Sequence, residues 1–452
     1  MDRRRFLSVG AVALAAPRSA LAALTASRFR SRPDLDPPVV HVIKAHTATA
    51  GLIFVANTNG AGQPGPMIMT GDGELVWFRA RPGKTVMNFA VHPYRNTRVL
   101  AWWEGALNGG SGSGEYVVLD TNYRELTRIS GGNGLAADLH EFSITPEGTA
   151  IITAYDVRGS LLDSLVQEID VATGELLFEW RASDHIALDE SYVTPPATGP
   201  YDFAHLNAAA RDRDGNFLIS SRHTWTVYKV DRSTGAVIWR LGGKQSDFAL
   251  GEGVAFHWQH HARRHADMTL SIFDNGAGPV QSETYSRGIR VRLDESAGTA
   301  TLVQEIVHPD RLLASAMGSM EPLDDGGSFV GWGSVPRFSE FAPDGTLRFD
   351  AGYPAGGFTY RALRRVWAAT PTAPPALVVD GGSGWVSWNG ATAVAKWRLN
   401  TGMTRARLSP AAVVPKKSFE TRLRLPAGAG WIRADALDAK GRVIGRSRVV
   451  RA

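Results

Sequence analysis

Short apolar runs, each four or five residues long and bounded by glycine or polar turns, recur along most of this chain. Leu52-Ile53-Phe54-Val55, Val99-Leu100-Ala101-Trp102, Ala150-Ile151-Ile152-Thr153, Phe217-Leu218-Ile219-Ser220, Leu270-Ser271-Ile272-Phe273 and Phe329-Val330-Gly331-Trp332 form one series. A second run follows, often ending in aspartate, as in Tyr116-Val117-Val118-Leu119-Asp120, Val166-Gln167-Glu168-Ile169-Asp170 and Val227-Tyr228-Lys229-Val230-Asp231. A turn and a third run come next, as in Gly174-Glu175-Leu176-Leu177-Phe178 and Gly235-Ala236-Val237-Ile238-Trp239. Runs of this length, rich in β-branched and aromatic residues and closed by turn formers, read as strands. The unit repeats at about fifty residues, a period typical of stacked supersecondary units. Six copies lie between residues 38 and 368. Helical periodicity is nearly absent, which argues against an α/β fold. The pattern predicts an all-β chain, specifically a six-bladed β-propeller. Five or seven blades follow if an end is miscounted, and a sandwich array or solenoid is the other arrangement.

The composition of the pattern changes past the repeats. Thr370-Pro371-Thr372-Ala373-Pro374-Pro375 reads as a stiff linker. Residues 376–452 then carry strands at short intervals, among them Gly384-Trp385-Val386-Ser387-Trp388 and Thr421-Arg422-Leu423-Arg424-Leu425. This spacing predicts a small Ig-like β-sandwich. At the other end, Arg3-Arg4-Arg5-Phe6-Leu7, an apolar stretch from Val9 to Ala16 and small residues to Ala23 read as a signal peptide over residues 1–22. The paired arginines resemble a twin-arginine signal, with an ordinary secretory signal as the alternative. Residues 23–370 are then the propeller domain. No stretch is long enough and apolar enough to span a bilayer, so the expected location is outside the cytoplasm, periplasmic or extracellular.

Charge and cysteine count narrow the chemistry. The 452 residues include no cysteine, which rules out disulfides, thiolate metal sites and cysteine nucleophiles. The formal charge of +5 is spread along the chain. With no basic run or stripe, nucleic acid is not an expected partner. A basic surface does suit small anions.

The candidate chemistry lies in the histidines. Aligned on the first strand of each repeat, the third unit begins Asp138-Leu139-His140-Glu141-Phe142, the fourth Ala204-His205-Leu206-Asn207 and the fifth Trp258-Gln259-His260-His261. The sixth begins Gly318-Ser319-Met320 and the second Met87-Asn88-Phe89. Equivalent positions of consecutive blades converge, so His140, His205 and His260 are expected to meet at one mouth. Arg222, in Ser220-Ser221-Arg222-His223, is expected beside them. Three imidazoles also suit zinc, and His257, His260, His261 and His265 make a dense local set, although no His-Glu-x-x-His motif occurs. The tryptophans read as core. Gly109-Gly110-Ser111-Gly112-Ser113-Gly114 reads as a flexible loop near the mouth. Arg81-Pro82-Gly83-Lys84-Thr85 lacks the first glycine of a phosphate loop and is rejected as one.

Taken together, Asp202-Phe203-Ala204-His205-Leu206-Asn207, Leu218-Ile219-Ser220-Ser221-Arg222-His223, Ile238-Trp239-Arg240-Leu241-Gly242-Gly243-Lys244, Gln259-His260 and Phe273-Asp274-Asn275-Gly276 resemble the arylsulfotransferase family. Its members are exported sulfuryl transferases that need no nucleotide sulfate donor, and the likeness is strongest to the family's less-characterised branch. The resemblance implies a six-bladed propeller, an aryl sulfate donor, a phenolic acceptor and a sulfohistidine intermediate. It implies His260 as nucleophile, His205 and Asn207 as the His-x-Asn pair, Arg222 as the sulfate-binding arginine, His140 as the remaining active-site histidine and Ser319 as a small hydroxyl residue of the substrate site. No metal and no cofactor are expected. The lack of cysteine and the position of the extra domain at the C-terminus depart from characterised enteric members. Two other classes stay open: a metal-dependent hydrolase or lactonase at the same mouth, and a non-catalytic propeller that binds sulfated ligands.

Overall fold

The structure, a computed structural model, describes residues 29–45, 50–354 and 356–452. The segment read as a signal peptide lies outside the described residues. The apolar runs form strands where the pattern places them. Leu52-Ile53-Phe54-Val55 lies in Leu52–Asn57, Phe217-Leu218-Ile219-Ser220 in Phe217–Ser221 and Leu270-Ser271-Ile272-Phe273 in Leu270–Asp274. Helical structure among the described residues amounts to two single 3₁₀ turns, Ala182–Asp184 and Leu188–Glu190.

The strands pair as eight separate sheets. The second sheet is a meander of Thr85–Tyr94, Thr97–Asn108, Ser111–Leu119 and Glu125–Ile129. The third runs Phe142–Ile144, Thr149–Arg158, Leu161–Asp170 and Leu176–Arg181. The fourth runs Leu206–Arg211, Phe217–Ser221, Thr226–Val230 and Val237–Gly242. The fifth starts at His260–Arg264 and gains one short parallel edge strand, Ala249–Leu250. The first and sixth sheets each take a strand from far along the chain. Leu363–Arg365 pairs with Leu52–Asn57, and His41–Lys44 pairs with Leu347–Gly352.

Neighbouring sheets share apolar layers. Trp103 and Tyr116 of the second sheet pack with Phe142 and Ile152 of the third. Ile151 and Trp180 of the third pack with Ile219 and Tyr228 of the fourth. The layers continue between the fourth and fifth, fifth and sixth, sixth and first, and first and second sheets. Burying large side chains such as Trp102, Trp103, Trp180 and Trp332 is worth roughly 1.5–3 kcal/mol each, on the scale of a large apolar side chain.

Two expectations are corrected here. The described strands do not form a closed six-bladed propeller: each sheet is open, and no strand pairing joins one of these six to the next. The C-terminal part is not a clear Ig-like sandwich. It has a three-stranded sheet and a five-stranded one, with Arg407–Pro415, Lys396–Thr404, Trp431–Leu437 and Val443–Arg446 in that order in the latter, rather than a four-plus-three arrangement. The physical reason is local. Alternating runs and tight turns specify meanders that satisfy their backbone groups within about fifty residues. They do not specify how separate meanders join.

A buried ion cluster lies where the first strands of several sheets approach. The Glu141 carboxylate, fully buried, accepts hydrogen bonds from Arg263 Nη2 at 2.5 Å and Arg361 Nη2 at 3.1 Å, and from the backbone N–H of Ala209 at 3.1 Å. Arg361 also donates to the carbonyls of His140 (3.0 Å) and Asn207 (3.3 Å) and to Asn88 Oδ1 (3.1 Å). Removing one partner of such a cluster strands a buried charge. Glu141→Gln is therefore expected to cost about 3–5 kcal/mol of unfolding free energy, read from urea denaturation. A loss below about 0.5 kcal/mol, the range of an ordinary surface change, would show that the cluster carries no such weight.

Candidate functional site

The first strands of the second, fourth and fifth sheets are each interrupted near their start. Register shifts fall between Met87 and Ala90, between Leu206 and Ala208, and between His260 and Arg263. Left-handed backbone accompanies them at Asn88 (φ 54°), His205 (φ 54°) and His261 (φ 55°). Non-glycine residues rarely adopt this region, and it costs on the order of 1–3 kcal/mol each. Bulges re-aim side chains, and here they sit beside the histidines the sequence singles out.

His140, His205, Arg222 and His260 line one open cavity of about 250 Å³. Leu139, Met317, Phe358 and Tyr360 supply much of its apolar wall. The His140 and His205 rings meet edge to face at 4.7 Å between centroids. His223, just beyond Arg222, stacks on His205 at 4.6 Å. That juxtaposition follows from the fourth sheet. Its ladder continues past the strand ends, with Arg222 N–H donating to the His205 carbonyl and His223 N–H to the Ala204 carbonyl, each at 3.0 Å.

Each imidazole is held through Nδ1. His140 bonds Asp138 Oδ2 at 2.6 Å, His205 bonds Asp202 Oδ2 at 2.5 Å, His223 bonds the Asp202 carbonyl at 2.6 Å and His260 bonds Asn275 Oδ1 at 2.7 Å. The Asn275 orientation is fixed independently, because its Nδ2 donates to the carbonyls of Ala314 and Met317 at 3.0 Å each. Its oxygen therefore faces His260, whose Nδ1 carries the proton, and Nε2 keeps its lone pair. That Nε2 accepts the Met317 N–H at 3.2 Å.

Electrostatics keep most of these rings neutral. Burial, then the Arg222 charge, holds His260 well below the ordinary histidine value. Burial, then His140, does the same to His205. His223 is pushed down to about 3 by burial and then His205. Burial draws Arg222 down to about 10, so the guanidinium remains charged near neutrality. It donates to His223 Nε2 at 3.1 Å and to the Ser315 carbonyl at 2.9 Å, and lies 5.3 Å from the Trp258 ring centre. Its Nε has no hydrogen-bond partner among the described residues. A charged guanidinium lining a cavity suits an anionic ligand.

Two of the residues expected to bind substrate lie elsewhere. Asn207 is fully buried, does not line the cavity, and donates to the Gln259 carbonyl at 2.6 Å. Ser319, also fully buried, bonds the carbonyl and N–H of Ala362 at 3.0 and 3.3 Å. Both tie neighbouring segments together. The sequence reading left Asp138, Asp202, Asn275 and His223 without roles, although Asp-x-His and Asp-x-x-His spacings at 138–140 and 202–205 were available as signals.

The expectation of a site with neither metal nor cofactor is corrected. Asp202, His205 and His223 each offer a ligand atom, and the three atoms lie within 4.8 Å of one another. Asp202 Oδ1 has no hydrogen-bond partner among the described residues, and desolvation raises the carboxyl's pKa. A cation would satisfy both conditions. The donor set suits zinc. The sequence hid this group because strand pairing, not local spacing, joins residue 205 to residue 223.

Comparison with known proteins adds the following. No curated protein matches the chain. Among solved structures, a Bacteroides caccae protein of unknown function is 12% identical with a TM-score of 0.45, covering 70% of this chain and 100% of its own. The periplasmic gluconolactonase of Pseudomonas aeruginosa is 12% identical with a TM-score of 0.40, covering 89% and 96%. A catalytically inactive virginiamycin B lyase from Staphylococcus aureus, solved with quinupristin, is 9% identical with a TM-score of 0.40, covering 78% and 97%. Likenesses this weak carry no argument about function. The family model for arylsulfotransferase (ASST) matches residues 92–353, more than half of the chain and every cavity histidine, and the chain belongs to that family.

Proposed function

We propose that the cavity transfers a sulfuryl group from an aryl sulfate ester to a phenolic acceptor, with His260 carrying the group between them. The observation that carries this reading is the anchoring of His260: Nδ1–H is committed to Asn275, and Nε2 keeps its lone pair at a cavity that Arg222 also lines. Membership of the arylsulfotransferase family supports it.

In the first half-reaction Nε2 forms a bond to sulfur as the bond from sulfur to the phenolic oxygen breaks. The electron pair leaves on the phenolate, which departs as the anion and takes its proton from solvent. As His260 gains positive character, its Nδ1–H bond to Asn275 strengthens. Charge grows on the sulfuryl oxygens, where the Arg222 guanidinium stabilises it. In the second half-reaction the acceptor oxygen attacks sulfur, its proton passes to a histidine, and the N–S electron pair returns to Nε2.

Asp202, His205 and His223 favour a second reading, metal-dependent hydrolysis. Such a centre would supply an activated water. Here Asp202 would hold the ion through its carboxylate, with His205 and His223 each giving one ring nitrogen. Elemental analysis of the purified protein separates the readings. Stoichiometric metal whose removal abolishes turnover supports hydrolysis, and full activity in the metal-free protein supports transfer.

Incubation with p-nitrophenyl sulfate should raise the intact mass by one sulfuryl group, and His260→Ala should abolish that gain. A mass gain that persists in His260→Ala removes His260 from the nucleophile role. Arg222→Lys is expected to lower kcat/KM for the donor by about 100-fold, the usual scale for a lost transition-state donor, with little change in Tm. Equal kinetics would sink the guanidinium argument. Because His260 is held below its ordinary value, its ring stays neutral as pH falls. Nitrophenol release should therefore persist unreduced down to about pH 5.5, below the unperturbed histidine pKa of about 6.5. A loss of rate centred near that pKa would contradict the assignment.

A further inference from the structure

We propose that the hairpin joining Thr97–Asn108 to Ser111–Leu119 selects the cavity's aromatic ligand by size, with Leu107 and Gly110 as specificity-determining residues. This rests on reading the cavity as a site for aryl sulfates. The glycine run at 109–114, expected as a flexible loop, is instead a regular ladder. Pairing continues without interruption from Leu100 with Leu119 to Asn108 with Ser111. The tip then forms part of the cavity wall through Leu107, Gly109 and Gly110.

The glycines let this hairpin lie close against its surroundings. A Cβ on Gly112 would stand 2.7 Å from the Trp103 ring, and one on Gly114 would stand 2.4 Å from the Glu104 carbonyl. The Gly112 N–H donates to Asp138 Oδ1 at 2.7 Å, while Asp138 Oδ2 holds His140 Nδ1. One carboxylate thus fixes both the hairpin and a cavity imidazole.

At the tip, Gly109 takes the turn's left-handed conformation (φ 67°), but Gly110 is not among the left-handed glycines. Space, rather than backbone conformation, explains glycine at 110. Its Cβ would lie 3.2 Å from His205 Cε1, so a side chain there must either enter the cavity or push the tip off His205. Leu107 lines the cavity yet is 44% exposed. An apolar side chain left open in a cavity that a charged guanidinium also lines matches a ligand with one anionic end and one flat apolar end. Together Leu107 and the close approach of Gly110 leave room for a compact ring and limit a second one.

The test is equilibrium binding of phenyl sulfate and 2-naphthyl sulfate, by calorimetry, to the full chain, to Leu107→Ala and to Gly110→Ala. Leu107→Ala trims an exposed side chain, so the fold is not at stake. It should shift the ratio of the two Kd values toward the naphthyl ester by about tenfold, the scale of a lost apolar wall contact. Gly110→Ala should shift it about tenfold the other way. An unchanged ratio in either variant overturns the role of that residue. Binding of both esters without turnover overturns the transfer reading and leaves the size selection standing. Binding of neither ester to the unaltered chain overturns both.

Discussion

The Glu141 carboxylate, buried between two guanidiniums, is the constraint on which the arrangement of the site depends. A carboxylate in this position must be paired, because desolvating it alone costs far more than any single contact returns. Arg263 and Arg361 pair it, and Arg361 also donates to the neighbouring His140 carbonyl and to groups of two other segments, at 88 and 207. The first strands of the second to fifth sheets are thereby held in one relation. His140 precedes Glu141 in the chain, Tyr360 precedes Arg361, and both line the cavity. The floor of the site is therefore set by charge pairing rather than by apolar packing. Two guanidiniums against one carboxylate also leave a net positive charge beneath a cavity that already contains Arg222.

Above that floor the design is repetitive. Four imidazoles each give Nδ1 to an oxygen, and the oxygen comes from a carboxylate, an amide or a carbonyl according to position. His140 and His205 are each held by a carboxylate, whereas Asn275 beside His260 offers orientation without charge. That difference sets His260 apart from the other two cavity histidines more clearly than burial does. The left-handed backbone at His205 and His261 is the conformational cost of aiming these rings, and it is sustained because the surrounding ladders leave no alternative.

The strands were legible because each meander is encoded within about fifty residues by alternation and turn chemistry. The convergence of His140, His205 and His260 could be anticipated because they occupy equivalent places in successive repeats, and Arg222 because it follows the strand paired with the one His205 precedes. What was not legible depended on contacts that no repeat specifies. The assembly is a set of open sheets meeting through shared apolar layers, and the closed propeller and the Ig-like sandwich were extrapolations from local pattern. Asn207 and Ser319 have residue types suited to a substrate, yet bulge geometry and the pairing to Ala362 turn them toward other protein segments. The Asp202, His205 and His223 group escaped notice because it needs the register of the fourth sheet. The glycine run misled because glycine signals flexibility when isolated and close approach when packed against Trp103.

The two long-range strand pairings bear on how the chain acquires its structure. Leu363–Arg365 completes the sheet begun at Leu52, and His41–Lys44 completes the one that ends at Gly352. Each pairing joins residues some three hundred positions apart, so neither sheet can be finished until almost the whole of residues 41–365 has been made. Until then the first sheet keeps an unpaired edge of the kind that invites strand addition from another molecule. Strand pairing on this scale is slow, so the last of these strands joins its sheet after the local meanders have formed.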